Sequence, residues 1–404
     1  MKRLAYCQLN GAIALVVKSP PSHRGAELGS TFFSQGYRKL TLMPSTESVS
    51  HRDLIVCACG DQQYTARDAI DAVIFRGELD VKWKEFLETV EAAKRSEELD
   101  LDLNRATISS ATEAFRYEYD LITAEEAEAW LANRGLTVDD FTDYFIRHYR
   151  ANALHEEILP IEVEYHSASP ELRELFLSEL ILSGELGRMT TSLMWRLAAR
   201  CAEKNPDPEA IVVAEQEFFD RNEIEPEQLA DWLVRLRRDS EWFNTMLVMD
   251  AVYRTRRDTL LVPQARRREL AALRLSLTRF EGEVIEFESR DAAREALFCV
   301  CEDGMSMEEV ATEGRYPFRR VNFLLEDVPI DAQQRFLCVS PGQVLKPIDR
   351  GDGFALYRIL EKIEPDPEDP RVKTRIDQRL LDRHFSELVS KYVKRSLGAP
   401  VSAR

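Results

Sequence analysis

Few residues in this sequence have the type and spacing for chemistry, and simpler readings account for most of them. Cys57/Cys59 and Cys299/Cys301 are each two apart. That spacing puts both thiols on one face of a strand but not of a helix. Neither pair has a nearby His or a second Cys-x-Cys, so a zinc-type ligand set is missing and buried thiols in a reducing compartment are expected. His155-Glu156-Glu157 has no second His at helical spacing and reads as a solvated helix end. Carboxylate pairs such as Asp139/Asp140 and Glu125/Glu126 open helices, where the macrodipole explains them without acid–base catalysis. Glu364–Asp369 lacks the central Gly and spaced carboxylates of a calcium loop. The chain has no phosphate loop ending in Gly-Lys-Ser/Thr, no dinucleotide glycine fingerprint, no nucleophile elbow and no His-Glu-x-x-His. No metal and no cofactor is expected.

The elements that could position such residues belong to a large acidic chain. Its 404 residues exceed one ordinary domain and suggest two or three. Hydrophobic content of 44% can build real cores. A net charge of −17 repels phosphate backbones, and clusters of Lys/Arg for anionic membranes are absent, so neither nucleic acid nor membrane is expected as a partner. No stretch of about 18 residues is apolar enough to span a bilayer. After Met1-Lys2-Arg3, the apolar run Leu4–Val17 is broken by Gln8 and Asn10 and has no small-x-small site. A β-like N-terminal extension over 1–53 in a cytoplasmic protein is the expectation; export through a signal-like segment is the alternative.

The chain contains a repeat. AIDAVIFRGEL (69–79) aligns with FLSELILSGEL (176–186), sharing Gly-Glu-Leu. The segment 115–145 aligns with 217–247, pairing Trp130 with Trp232, Phe141 with Phe243 and Phe145 with Leu247. The two copies are expected over 54–160 and 161–262, each an extended lead-in (Leu54–Ala58, Ile161–Tyr165) followed by about five helices. Thr65 with Asp68 and Thr123 with Glu126 have capping-box form, and Thr137 is a third N-cap. Pro170 and Pro226 suit first helical turns, and Gly77, Gly135 and Gly184 suit helix stops. Trp130 and Trp232, at helical spacing with other apolar residues, read as core anchors.

The remainder, 263–364, differs. A linking helix over Arg266–Leu273 leads to a strand at Val284–Phe287. Helices follow at Arg290–Glu302 behind Ser289 and at Met305–Glu313 behind Gly304, and Ile330–Val339 is helical or turn-like. Strand-like runs Val344–Ile348 and Phe354–Ile363 flank the turn Gly351-Asp352-Gly353, an antiparallel hairpin pattern. Over 365–404, Pro365, Pro367 and Pro370 make a stiff connector before an amphipathic helix at Arg375–Val393.

On these residues the segment 283–363 resembles a parvulin (rotamase) domain. The resemblance is carried by EVIEFESRDAAREAL, DGMSMEEVA, the run from Phe336 through SPGQVLKPI, with Pro347 five after Gly342, and GDGFALYRI. Two helical copies before such a unit and a terminal helix after it are similar to SurA-like periplasmic chaperones. They are also similar to PpiC-type cytoplasmic relatives found with peptide-maturation and secretion systems. The resemblance implies a mainly α, α+β protein: two SurA-N-like helical modules, a small parvulin-like α/β domain and a C-terminal helix. It also implies a peptide groove lined by Phe323, Leu324, Phe336, Val344, Ala355 and Tyr357, with Phe336 against the prolyl ring. The parvulin pattern places His on the first and last strands, but here the first strand has none and Ala355 stands where the second would. All six His lie at 23, 51, 148, 155, 166 and 384. Cys338 falls near the groove with no basic partner, as a buried structural thiol. The expected function is therefore binding of unfolded or precursor polypeptide by a chaperone or escort with a degenerate parvulin-like domain, serving peptide maturation or export. A low-efficiency peptidyl-prolyl isomerase is the alternative, and a scaffold without a groove is the third reading. No catalytic residue is assigned.

Overall fold

The computed structural model describes residues 54–154, 162–203, 205–351 and 353–396, so the expected N-terminal extension over 1–53 lies outside them. The chain forms two compact units. One comprises the described residues up to Leu260 together with 381–396, and the other comprises Leu261–Leu380.

The first unit opens with a hairpin, β1 (Ile55–Cys59) and β2 (Gln62–Thr65). Five helices follow: α1 (Ala66–Phe75), α2 (Leu79–Glu98), α3 (Arg105–Glu118), α4 (Ala124–Ala132) and α5 (Val138–Ala153). Five more repeat the order: α6 (Pro170–Leu182), α7 (Glu185–Ala202), α8 (Pro208–Asn222), α9 (Leu229–Leu236) and α10 (Ser240–Leu260), with a 3-10 turn at Pro226–Gln228 before α9. Capping boxes close at Thr65 with Asp68, Thr123 with Glu126 and Thr137 with Asp140. Each satisfies two otherwise unpaired backbone N–H groups and fixes a helix start. Pro170 occupies the first position of α6 and Pro226 that of the 3-10 turn. The strand-like lead-in expected at Ile161–Tyr165 is not regular structure over its described part: 162–164 are irregular and a turn follows.

The repeat is structural as well as sequential. In copy one, the Phe115 ring meets Trp130 at 5.5 Å and Phe141 at 5.2 Å. In copy two, Phe218 meets Trp232 at 5.1 Å and Phe243 at 4.9 Å. The backbone turns left-handed at matching points: Gly77 and Gly184, Asp120 and Glu223, Gly135 and Arg237. The copies also exchange their first helices. Phe75 at the end of α1 stacks on Phe218 of copy two at 4.9 Å, and α1 packs on α7. Reciprocally, Phe176 of α6 meets Trp83 and Phe86 of α2, each at 5.0 Å. Polar contacts enforce the exchange. Arg238 after α9 reaches Asp68 and Asp71 on α1, both at 2.6 Å, and the Arg67 guanidinium donates to the Leu236 carbonyl at 2.9 Å.

The second unit runs α11 (Pro263–Ala272), β3 (Arg279–Phe287), α12 (Arg290–Cys301), α13 (Met307–Gly314), β4 (Phe318–Leu324), a 3-10 turn (Leu325–Asp327) and α14 (Ile330–Cys338). It ends with β5 (Ile348–Asp349), β6 (Phe354–Ile363) and α15 (Pro370–Tyr392). The strands form one antiparallel sheet in the order β4-β3-β6-β5. One face, with Ile285, Phe287 and Leu356, is covered by α12 and α13; the other, with Phe280 and Ile359, by α14. Leu277, Leu324, Val372 and Ile376 form a third cluster with Leu270 and Leu273 of α11.

Two expectations are corrected here. The strand expected at Val344–Ile348 is regular only at β5: Val344 bridges to Arg358 and the Leu345 N–H donates to the Tyr357 carbonyl at 2.8 Å, but the ladder along β6 is interrupted before Ile348, where Pro347 has no N–H to donate. Helix α15 begins at Pro370, not Arg375: Asp369 accepts from the Arg371 N–H, and proline is tolerated in a first turn whose N–H needs no partner. Beyond Leu380 its residues pack in the first unit, where Phe385 meets Trp195 at 5.2 Å and Tyr253 at 5.0 Å. There β7 (Val393–Arg395) pairs with β1, giving the order β2-β1-β7.

Candidate functional site

Alternation along β3 and β6 divides their side chains between the two faces of the sheet. Phe287, Ile285 and Leu356 go to the α12/α13 side, which leaves Val284, Glu286, Ala355, Tyr357 and Ile359 toward α14. Arg319 of β4 joins that side opposite Val284, and Phe323 joins it opposite Phe280. The result is an aromatic cluster bordered by charge. Phe336 of α14 lies 5.3 Å from both Phe323 and Tyr357 and 5.9 Å from Phe280, and Phe280 and Phe323 stack at 5.7 Å. Beside them the Glu286 carboxylate accepts from Arg319 at 2.7 Å and from Arg350.

The electrostatics follow from this geometry. Burial pushes the Glu286 carboxyl up, but hydrogen bonds from Arg350 and Arg319 outweigh it, and the net pKa lies below the ordinary carboxylate value. Burial raises the Tyr357 phenol, so the ring stays neutral and its hydroxyl keeps its proton. The segment 261–380 contains no His. The face therefore combines a stacking surface with a fixed ion pair, and no imidazole stands ready to exchange a proton near neutral pH.

The six groove residues expected from sequence do not share one surface. Phe323 and Tyr357 are half-buried at the rim of the aromatic cluster. Phe336 is 2% exposed and belongs to the core beneath them, because its ring is closed in by Phe280, Leu345 and Ile359. Ala355 is fully buried opposite Ile348. Leu324 points into the separate cluster under α15, and Val344 packs against the α12/α13 face. Cys338 is exposed at the end of α14 rather than buried. The Glu286–Arg319–Arg350 cluster went unnoticed in the sequence because Arg319-Arg320 disguise β4. Glu286, two residues beyond Val284, carried a signal through period-two alternation.

No protein-family model matches this chain, and no curated protein matches it. Solved structures similar to it include the peptidylprolyl isomerase PrsA of Bacillus cereus, at 10% identity and TM-score 0.35, covering 54% of this chain and 84% of that one. The foldase protein PrsA of Streptococcus pneumoniae is similar at 9% identity and TM-score 0.24, covering 58% and 91%. A SurA-like chaperone of Campylobacter jejuni is similar at 9% identity and TM-score 0.18, covering 54% and 89%. The fold class of the described residues is mainly α with small antiparallel sheets.

The first unit presents a second aromatic surface that sequence reasoning missed. Helix α10 buries Phe243, Met246, Leu247 and Met249, whereas its counterpart α5 has no fully buried residue. Phe141, Tyr144 and Phe145 of α5 are all half-buried. The same aromatic core is thus closed in copy two and half-open in copy one.

Proposed function

We propose that this protein is a chaperone that holds unfolded or precursor polypeptide and does not efficiently isomerise prolyl bonds. The observation that carries this reading is a half-open aromatic face, Phe323 and Tyr357, in a unit whose sequence lacks histidine. Rotation about an X-Pro bond meets a barrier of about 18–20 kcal/mol, and a site lowers it only by binding the twisted amide better than the planar one. A half-buried aromatic rim beside a carboxylate paired with two arginines can bind apolar side chains, but it offers no group tuned to the twisted form. The half-open face of α5 supplies a second apolar surface, as a client-holding protein needs. Service to a peptide-maturation or export system, in the cytoplasm, is the finer form of this proposal.

The test uses the full chain with a reduced, unfolded client and, separately, a protease-coupled assay on a short Xaa-Pro peptide. Suppression of client aggregation should fall at least severalfold in Phe323→Ser/Tyr357→Ser while the fold persists. The intact protein should isomerise the peptide far more slowly than a parvulin with its histidines. Activity within about tenfold of that control, about 1.4 kcal/mol in barrier, would make the protein an isomerase instead.

A further inference from the structure

We propose that Cys59 and Cys201 are a disulfide-forming pair, a redox staple that fastens β1 to the C-terminal end of α7. Their Sγ atoms lie 2.8 Å apart although the residues are 142 positions apart in sequence. Cys201 is exposed in the last turn of α7, and Cys59 is half-buried at the end of β1. Both belong to the same compact unit. The contact comes from tertiary packing of α7 against β1, not from local helical or strand spacing. β1 is the middle strand of the sheet β2-β1-β7, and Cys59 is opposite Val393 of the returning strand. A bond here would therefore lock the strand that joins the unit's two chain segments.

The neighbouring thiols decide which sulfur starts. Burial pushes the Cys57 thiol up to about 12, and it is fully enclosed. Burial, with the Cys201 hydrogen bond second, pushes the Cys59 thiol up to about 12 as well. Cys201, exposed where Cys57 is enclosed and Cys59 half-buried, is the sulfur that a small disulfide reaches first. It releases its proton to solvent, and its thiolate attacks one sulfur of a small-molecule disulfide, R–S–S–R. A Cys201–S–S–R bond forms and R–S⁻ leaves. Cys59 then gives up its proton, its sulfur attacks the Cys201 sulfur, and the second R–S⁻ leaves. Two protein thiols are oxidised to one disulfide and one small disulfide is reduced to two thiols, so no further oxidant is needed. In a reducing compartment the pair remains as thiols.

The full-length chain, reduced and freed of reductant, is incubated with oxidised glutathione, then alkylated, digested and mapped by mass spectrometry. The expected result is an intact chain lighter, before alkylation, by about two mass units, the two hydrogen atoms lost as the two thiols are oxidised. One linked peptide pair should carry Cys59 and Cys201. Cys201→Ser, at an exposed position, should abolish the link, and Cys338→Ser in the other unit should leave it unchanged. Hydrogen exchange at the β1 amides should slow by about tenfold or more in the linked chain. A stable glutathione adduct on Cys201, a Cys57–Cys59 link in its place, or unchanged β1 exchange would overturn the proposal.

Discussion

Phe336 shows how a residue's type can be legible while its role is not. The sequence places an aromatic on α14, but a groove ring and a core ring have the same spacing and differ only in exposure. With its ring closed in, Phe336→Ala removes core packing and leaves a cavity, at a cost of about 3–5 kcal/mol. The expected outcome is a sharply lower melting temperature of the second unit with client affinity per folded molecule unchanged. Phe323→Ser should do the opposite, since its ring already meets solvent. Thermal melts paired with client binding on the two variants separate the roles. Glu286, Arg319 and Arg350 were hidden for a related reason: a carboxylate on a strand declares no partner until pairing brings one across the sheet.

Between elements, the shared Gly-Glu-Leu acquires a physical meaning. Gly77 and Gly184 both adopt left-handed backbone, with φ of +64° and +76°. A Cβ on Gly77 would sit 3.3 Å from the Arg221 carbonyl of copy two, and one on Gly184 would sit 3.3 Å from the Tyr119 hydroxyl of copy one. Each glycine ends an exchanged helix against the other copy's third helix. Gly77→Ala or Gly184→Ala should each destabilise the first unit by about 1–2 kcal/mol from backbone conformation alone, measured by urea unfolding. A second prediction concerns acid. Glu179 of α6 accepts from Arg147 and His148 of α5, both at 2.7 Å. Burial raises the Glu179 carboxyl, but His148 and Arg147 more than offset this and hold it below the ordinary value. A depressed folded pKa contributes stability above the unfolded carboxylate range and loses it as pH falls through the folded value. The stability gap between the wild type and Glu179→Gln should therefore be full at pH 7 and close progressively below about pH 4. A gap independent of pH would mean that the ion pair contributes nothing.

At the scale of the whole molecule, the chain leaves the helical unit at Leu260 and returns to it after Leu380. Phe385, fully buried between Trp195 and Tyr253, and β7 beside β1 anchor that return. Phe385→Ala should cost the first unit about 3–5 kcal/mol and leave the second unit's melting unchanged. Calorimetry showing both transitions shifted equally would contradict this division of the chain.

Local features were decided by local sequence. Caps at Thr65, Thr123 and Thr137, left-handed stops at the glycines and the doubled Trp–Phe spacing depend on neighbours within a few turns, so they could be read directly. The repeat and the mainly helical class follow from them. The exchange of first helices, the return of β7 to β1, the closing of Phe336 and the meeting of Cys59 with Cys201 join residues up to hundreds of positions apart. Apolar burial is non-directional, so an amphipathic helix specifies that its face be covered but not by which partner. That choice was made by close packing in the tertiary structure, where Gly77 fits against Arg221 and Phe75 against Phe218.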